Sequence, residues 1–274
     1  MTDVQAGPLT RHNATVTGKG GTTLVFAHGY GCDQTVWREV SPAFEDHYRV
    51  VTFDHAGAGH CDRHAYDNFR HSSLAGYADD VIAVCDALQS DRLIVVGHSV
   101  SAMIGALAAI KRPELFDLMV MIGPTASYIN DGSYVGGFDL PDLREFLELI
   151  ETNFEGWGTA LAMLAMGNHD RPALAAALRD RICRVDPAIA GIFARATFLT
   201  DLRGELPSLT TPTVILHGAE DPVAPQTAID FVHDSLPGSQ VMLLDATGHC
   251  PHLSHPAAVI AALREVLAQD GRRN

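Results

Sequence analysis

The sequence predicts an α/β fold, a mostly parallel, doubly wound sheet with an inserted helical cap, and three observations carry that expectation. Short apolar runs of strand length alternate with helix-spaced segments through the first half. The strand signal then stops between about residues 127 and 202 and resumes as two further strand–helix pairs. One apolar run, Leu93-Ile94-Val95-Val96, passes through Gly97-His98-Ser99 straight into a small-residue helix.

Taken in order, Ala14–Thr17 is an edge strand, and Thr23–Ala27, Arg49–Phe53, Arg92–Val96 and Leu118–Ile122 are inner strands, each closed by a glycine-rich or polar turn. Helical spacing falls at Trp37–Phe44, Leu74–Leu88 and Val100–Ile110. The middle of the chain reads as helices Asp142–Asn153, Trp157–Met166, Pro172–Cys183 and Pro187–Phe198, separated by Gly and Pro. Strands return at Thr213–Leu216 and Gln240–Leu244, followed by helices Pro225–Ser235 and Pro256–Gln269. The expected core is therefore residues 1–126 and 203–274, split by a cap at 127–202 that is not an independent domain. The ends, Met1–Asn13 and Gly271–Asn274, are expected to fray.

Composition bounds the partners. With 47% hydrophobic and 19% charged residues over 274 positions, the chain has material for a core and too little charge for disorder. A formal charge of −14 and the absence of any basic run argue against nucleic acid and against an anionic membrane surface. The start shows no basic n-region or apolar h-region, so no secretory leader is expected. Five scattered cysteines without a Cys-x-x-Cys pair fit reduced thiols and a cytoplasmic location.

The strand-to-helix junction carries chemistry. A residue caught between a strand and a helix sits in a sharp, strained turn with its side chain clear of the sheet, beside the first helical N–H groups. Here that residue is Ser99, in Gly97-His98-Ser99-Val100-Ser101. The usual motif is Gly-x-Ser-x-Gly, and Ser101 replaces the last glycine where a short side chain is needed for packing. A helix N-cap is the blander role for Ser99, but the partners a nucleophilic serine requires follow in the right order. Asp221 lies in the turn after the strand Thr213–Leu216, and His249 in the Gly248-His249-Cys250-Pro251 loop after the next strand. Glu220 and Asp245 are rivals for the acid. Backbone donors for an oxyanion are expected from Val100 N–H and, between Gly29 and Gly31, Tyr30 N–H. Cys250, His252 and His255 beside His249 lack the spacing of a structural zinc site, and Gly57-Ala58-Gly59 lacks the strand-to-helix context of a phosphate loop. Asp54 before it is read as a turn former. No metal or organic cofactor is called for.

With these residues in place the chain resembles the α/β-hydrolases over nearly its whole length. Gly31-Cys32-Asp33-Gln34, Gly97-His98-Ser99-Val100-Ser101-Ala102-Met103-Ile104-Gly105, Arg112-Pro113-Glu114-Leu115-Phe116 and Gly136-Gly137-Phe138 are similar to the subgroup of the bacterial stress regulator RsbQ and the plant karrikin- and strigolactone-receptor hydrolases. Gly248-His249-Cys250-Pro251-His252 resembles its bacterial branch. Ser101 is the residue that this subgroup implies. The resemblance further implies a four-helix cap over a small apolar pocket, with Tyr30, Phe138, Trp157 and Phe198 near the ligand, and slow esterase-like activity. Two functions are expected on these grounds. One is a serine hydrolase acting on a small hydrophobic ester or lactone. The other is a ligand sensor with incidental hydrolysis, whose implied partner is a phosphatase carrying a sensory domain. Non-hydrolytic uses of the same residues, such as C–C cleavage or perhydrolysis, stay open; a haloalkane dehalogenase is disfavoured by a serine where an aspartate would be needed.

Overall fold

The computed structural model describes residues 6–271. Seven strands form one sheet: β1 (Thr15–Gly18), β2 (Thr22–Ala27), β3 (Arg49–Thr52), β4 (Arg92–His98), β5 (Leu118–Ile122), β6 (Thr213–Glu220) and β7 (Gln240–Thr247), in the order β1-β3-β2-β4-β5-β6-β7. β1 runs antiparallel to β3 at one edge, and every other neighbouring pair is parallel. The helices are α1 (Pro8–Arg11), α2 (Leu74–Leu88), α3 (Val100–Lys111), α4 (Leu140–Thr152), α5 (Phe154–Met166), α6 (Pro172–Ile182), α7 (Pro187–Phe198), α8 (Gln226–Ser235), α9 (Pro251–Ser254) and α10 (Pro256–Asp270).

The continuous apolar runs follow from burial on both faces of the sheet. Alternate residues of β4 enter opposite cores: Ile94 and Val96 pack with Phe26, Trp37 and Leu263, whereas Leu93 and Val95 pack with Val25, Tyr77 and Met103. Helices α2, α3 and α8 cover one face, and α10 covers the other. Helices α4 to α7 all lie between β5 and β6 in sequence. The ends of that excursion meet, since Ser127 bridges Asp201 and Leu202 N–H donates to the Ala126 carbonyl at 2.8 Å.

Three expectations change. Trp37–Phe44 is not one helix but two 3-10 turns, Gln34–Trp37 and Ser41–Phe44. Pro42 has no N–H for an i−4 bond and disfavours helical backbone in Ser41, so the spacing cannot propagate. The expected frayed N-terminus is held from Pro8 to Asn13: α1 forms, Asp54 N–H donates to the His12 carbonyl at 2.9 Å and Asp62 N–H to the Arg11 carbonyl at 2.7 Å. The fraying expected for residues 1–5 and 272–274 lies outside the described residues. Finally, β6 and β7 run beyond their apolar segments, because Gly218 and Glu220 continue the pairing across a register shift. Among the described residues no helix is long and apolar enough to cross a membrane.

Ile94, 1% exposed in the central strand, should be costly to truncate. Ile94→Ala is expected to lower unfolding free energy by about 2–5 kcal/mol. Leu243→Ala on β7, 69% exposed, should change it by less than about 0.5 kcal/mol. Urea midpoints at unchanged m-value check both.

Candidate active site

β4 ends at His98 and α3 begins at Val100, leaving Ser99 alone at the bend with φ 56° and ψ −123°. A left-handed non-glycine residue of this kind holds about 1–3 kcal/mol of strain. Its backbone is pinned on both sides: Ser99 N–H donates to the Ile122 carbonyl of β5 at 2.8 Å, and its own carbonyl accepts Ala102 N–H at 2.9 Å. The bend also requires Gly97, where a Cβ would lie 2.5 Å from the Ser101 carbonyl oxygen.

The structure brings the three dispersed residues into one hydrogen-bonded chain. Ser99 Oγ lies 2.7 Å from His249 Nε2, and His249 Nδ1 lies 2.8 Å from Asp221 Oδ2, all in buried side chains. The other carboxylate oxygen of Asp221 accepts Val223 N–H and Ala224 N–H, both at 2.9 Å. Burial would raise the Asp221 carboxyl; the charge of His249, the hydrogen bond to it and the two N–H groups overcome that and hold it below the usual carboxylate range. With Asp221 an ionised acceptor, His249 donates from Nδ1, and its Nε2 is left to accept the Ser99 hydroxyl proton. The rivals Glu220 and Asp245 are exposed, and it is Asp221 that reaches the imidazole.

The histidine loop is gripped from the insertion. His249 N–H donates to the Ala165 carbonyl of α5 at 2.7 Å, and Gly248 at φ 81° passes so close that a Cβ would lie 2.0 Å from the Met166 carbonyl oxygen. From the core side, His98 Nε2–H donates to the His249 carbonyl at 2.8 Å. His98 in turn faces the His252 ring at 4.4 Å, and His252 lies on Trp37 at 4.6 Å. Burial first, then the neighbouring His249, pushes His98 down to about 3, and burial drives His252 well below the ordinary histidine value. These rings are neutral packing elements. Among the described residues no group of three or more His, Cys, Asp or Glu could hold a metal ion.

Val100 opens α3, so its N–H belongs to the first turn, whose donors have no partner within the helix. Tyr30 sits in the turn between Gly29 and Gly31, beside the serine bend: a Cβ on Gly29 would approach Ser99 Cβ to 3.5 Å. The Tyr30 hydroxyl donates to the Ala190 carbonyl of α7 at 2.8 Å. Beneath α5 to α7 lies a narrow chamber of about 30 Å³, in which Ser99 and His249 face Tyr30, Leu161, Leu178, Ile182, Phe198 and Val223.

Of the expected ligand contacts, Tyr30 and Phe198 line this chamber, whereas Trp157 and Phe138 do not. Trp157 stands edge-on behind the Tyr30 ring at 5.7 Å and stacks on Phe154, filling the core of the insertion. Phe138 is half-buried and contributes its backbone, donating to the Tyr128 carbonyl at 3.0 Å. Helical spacing reveals that an aromatic is buried but not which side of a thin helical layer it faces. Three further wall groups went unread. Tyr128 places its hydroxyl 3.4 Å from Ser99 Oγ, Thr197 presents a buried hydroxyl without a hydrogen-bond partner, and the buried thiols of Cys32 and Cys250 form the third group. Tyr128 lies in an aperiodic segment, and no local motif marks it.

A family model described as alpha/beta hydrolase fold matches residues 22–256. The chain is 36% identical over 260 residues to a karrikin insensitive 2 receptor of Petunia hybrida, covering 94% of this chain and 96% of that one. It is 36% identical over 256 residues to a strigolactone esterase of Arabidopsis thaliana, covering 93% and 96%. Among solved structures, a hydrolase from Oleispira antarctica superposes with a TM-score of 0.92 at 35% identity, covering 95% and 96%.

The buried imidazoles make stability fall in acid. His28, His55, His98 and His252 are all pushed below the ordinary value, chiefly by burial. The unfolded chain therefore binds these protons first, and stability decreases as pH falls from about 6.5 toward 4. Asp221 adds its own loss only below the usual carboxylate range. Thermal melts across that window should show a slope of more than two protons. His252→Phe, which removes an imidazole without hydrogen-bond partners, should lower the slope by about one proton, ~1.4 kcal/mol per pH unit; an unchanged slope would contradict the assignment.

Proposed function

This chain belongs to the alpha/beta hydrolase fold family, and on that premise we propose that it is a serine hydrolase cleaving a small, uncharged ester or lactone through an acyl-enzyme. The observation that carries the proposal is the unbroken chain from Ser99 Oγ through His249 to Asp221 at the carboxyl ends of parallel strands. Ser99 attacks the carbonyl as His249 Nε2 takes its proton, and Asp221 stabilises the imidazolium. The developing oxyanion is met by the N–H groups of Tyr30 and Val100. His249 returns the proton to the departing alkoxide, and water then repeats the steps on the acyl-enzyme. A lactone keeps its alcohol tethered, so the product is a single hydroxy acid.

The chamber supports an apolar substrate, since its wall carries no Lys or Arg to pair a carboxylate. We take residues 127–202 as the lid that excludes water from it. The unpaired Thr197 hydroxyl is suited to a second oxygen on the substrate, remote from the scissile carbonyl. A sensor output is the second reading, favoured by the receptor among the relatives and by the bond from α5 to the His249 backbone, which links chamber occupancy to the lid surface. In that reading hydrolysis is slow and a partner protein, phosphatase-like by resemblance, reads the lid. Five unpaired cysteines support a reducing, cytoplasmic setting.

Turnover of short activated esters should fall by about 10⁴-fold or more in Ser99→Ala, and a serine-directed phosphonate should add its mass to wild type at Ser99 and not to the variant. A wild type that does neither ends the hydrolase reading. Thr197→Val should reduce kcat/KM about tenfold for an ester bearing a remote ether or keto oxygen, while sparing the hydrocarbon analogue.

A further inference from the structure

Ser101 stands where the motif ordinarily ends in glycine, and its hydroxyl is fully engaged. Buried at 1% exposure, it donates to the His28 carbonyl and lies 2.7 Å from His55 Nε2. The one hydroxyl proton goes to the carbonyl, so His55 is the donor and carries its proton on Nε2. His55 backbone N–H donates to His28 Nε2 at 3.1 Å, which leaves the His28 proton on Nδ1, directed at the Gly29 carbonyl at 2.9 Å. Both rings are completely buried and meet edge-on, their centroids 4.6 Å apart. Three elements thus converge on a single hydroxyl: the first turn of α3, the loop after β2 and the loop after β3.

From this geometry we propose that Ser101, held in place by His55, is a positioning residue that sets the separation of the Tyr30 and Val100 N–H groups in the oxyanion hole. The inference rests on the hydrolase reading above. The two donors come from different elements, and the ladder that aligns those elements ends too early to place them: the last β2–β4 rung pairs Ala27 with Gly97. Beyond that rung, the Ser101–His28 bond is the tether across the gap. Ser101 immediately follows Val100, and His28 is two residues before Tyr30, so the tether acts within two residues of each donor. On the loop's other flank, Gly29 abuts the His98 ring, where a Cβ would lie 2.5 Å from Nδ1. The loop is held between a hydrogen bond and a wall. A glycine at position 101 would satisfy the packing and lose the tether.

Deleting an oxyanion donor costs about 10²–10³ in kcat; loosening the spacing of two retained donors should cost less. Ser101→Ala is expected to lower kcat about ten- to a hundredfold on a short activated ester, with KM within about threefold of wild type. Affinity for a boronic acid, which forms a tetrahedral adduct on Ser99, should fall in the same ratio as kcat/KM, while affinity for the product alcohol holds. His55→Phe should act in the same direction, and the double variant should be no worse than Ser101→Ala, as expected for members of one network. His55→Gln, which keeps a donor at the Nε2 position, should recover much of the loss; this pair also serves if Ser101→Ala does not fold. Unchanged kcat in Ser101→Ala or His55→Phe, a loss confined to KM, additive losses, or equal loss of product affinity would each overturn the proposal while leaving Ser99 chemistry intact. Absence of turnover in wild type would overturn both.

Discussion

The packing of α3 against β4 through Gly97 governs the rest of this molecule. A strand and a helix joined by one residue must approach almost to backbone contact, and the side chain between them is forced outward in a left-handed conformation. The strain in Ser99 persists because rigid neighbours over-determine it: a β5 carbonyl holds its N–H, the helix holds its carbonyl, and any Cβ at position 97 is excluded. Relaxing the bend would carry the hydroxyl away from His249 and the first-turn N–H groups away from any bound carbonyl. The outward hydroxyl and the unpaired first-turn N–H groups are thus produced by the same backbone constraint.

Around that bend the electrostatics are asymmetric. The chain carries a formal charge of −14, yet beside the bend Asp221, its carboxyl held below the usual range, lies near imidazoles that burial keeps neutral, His98 and His252. Among the described residues, His249 alone has a carboxylate on one nitrogen and a hydroxyl on the other. Among the other buried rings, His98 donates to the His249 carbonyl and His28 to the Gly29 carbonyl, whereas His252 packs without a hydrogen-bond partner. His98 and His252 resist protonation because burial denies the charged form its solvent and neighbouring imidazoles add to the cost.

Much of the fold was legible because both faces of the sheet are buried, so apolar runs and the turns closing them mark strands plainly. The bend at Ser99 was legible for a local reason, a strand ending in Gly97 and a helix starting at Val100. Asp221 and His249 could be named because each follows a strand and the sheet aligns strand ends. What could not be read was contact between distant segments. Ser101 gains its partners from residues 73 and 46 positions away, so in one dimension it looked merely small. Trp157 and Phe138 failed as wall residues for the complementary reason: hydrophobic spacing reports burial, not the side of the layer. Pro42 was locally visible, and the apolar spacing around it was given too much weight against its missing N–H.

The bond from His249 N–H to the Ala165 carbonyl joins the histidine loop to α5. Helix α5 contributes Leu161 and Ala165 to the chamber wall and, one residue from its end, the carbonyl that holds the His249 loop. A displacement of α5 away from the sheet would take that acceptor from the His249 N–H, so the chamber wall and the histidine loop share one anchor. On the proposed hydrolase reading, a guest too large for α5 to keep its place would also loosen the histidine beside Ser99.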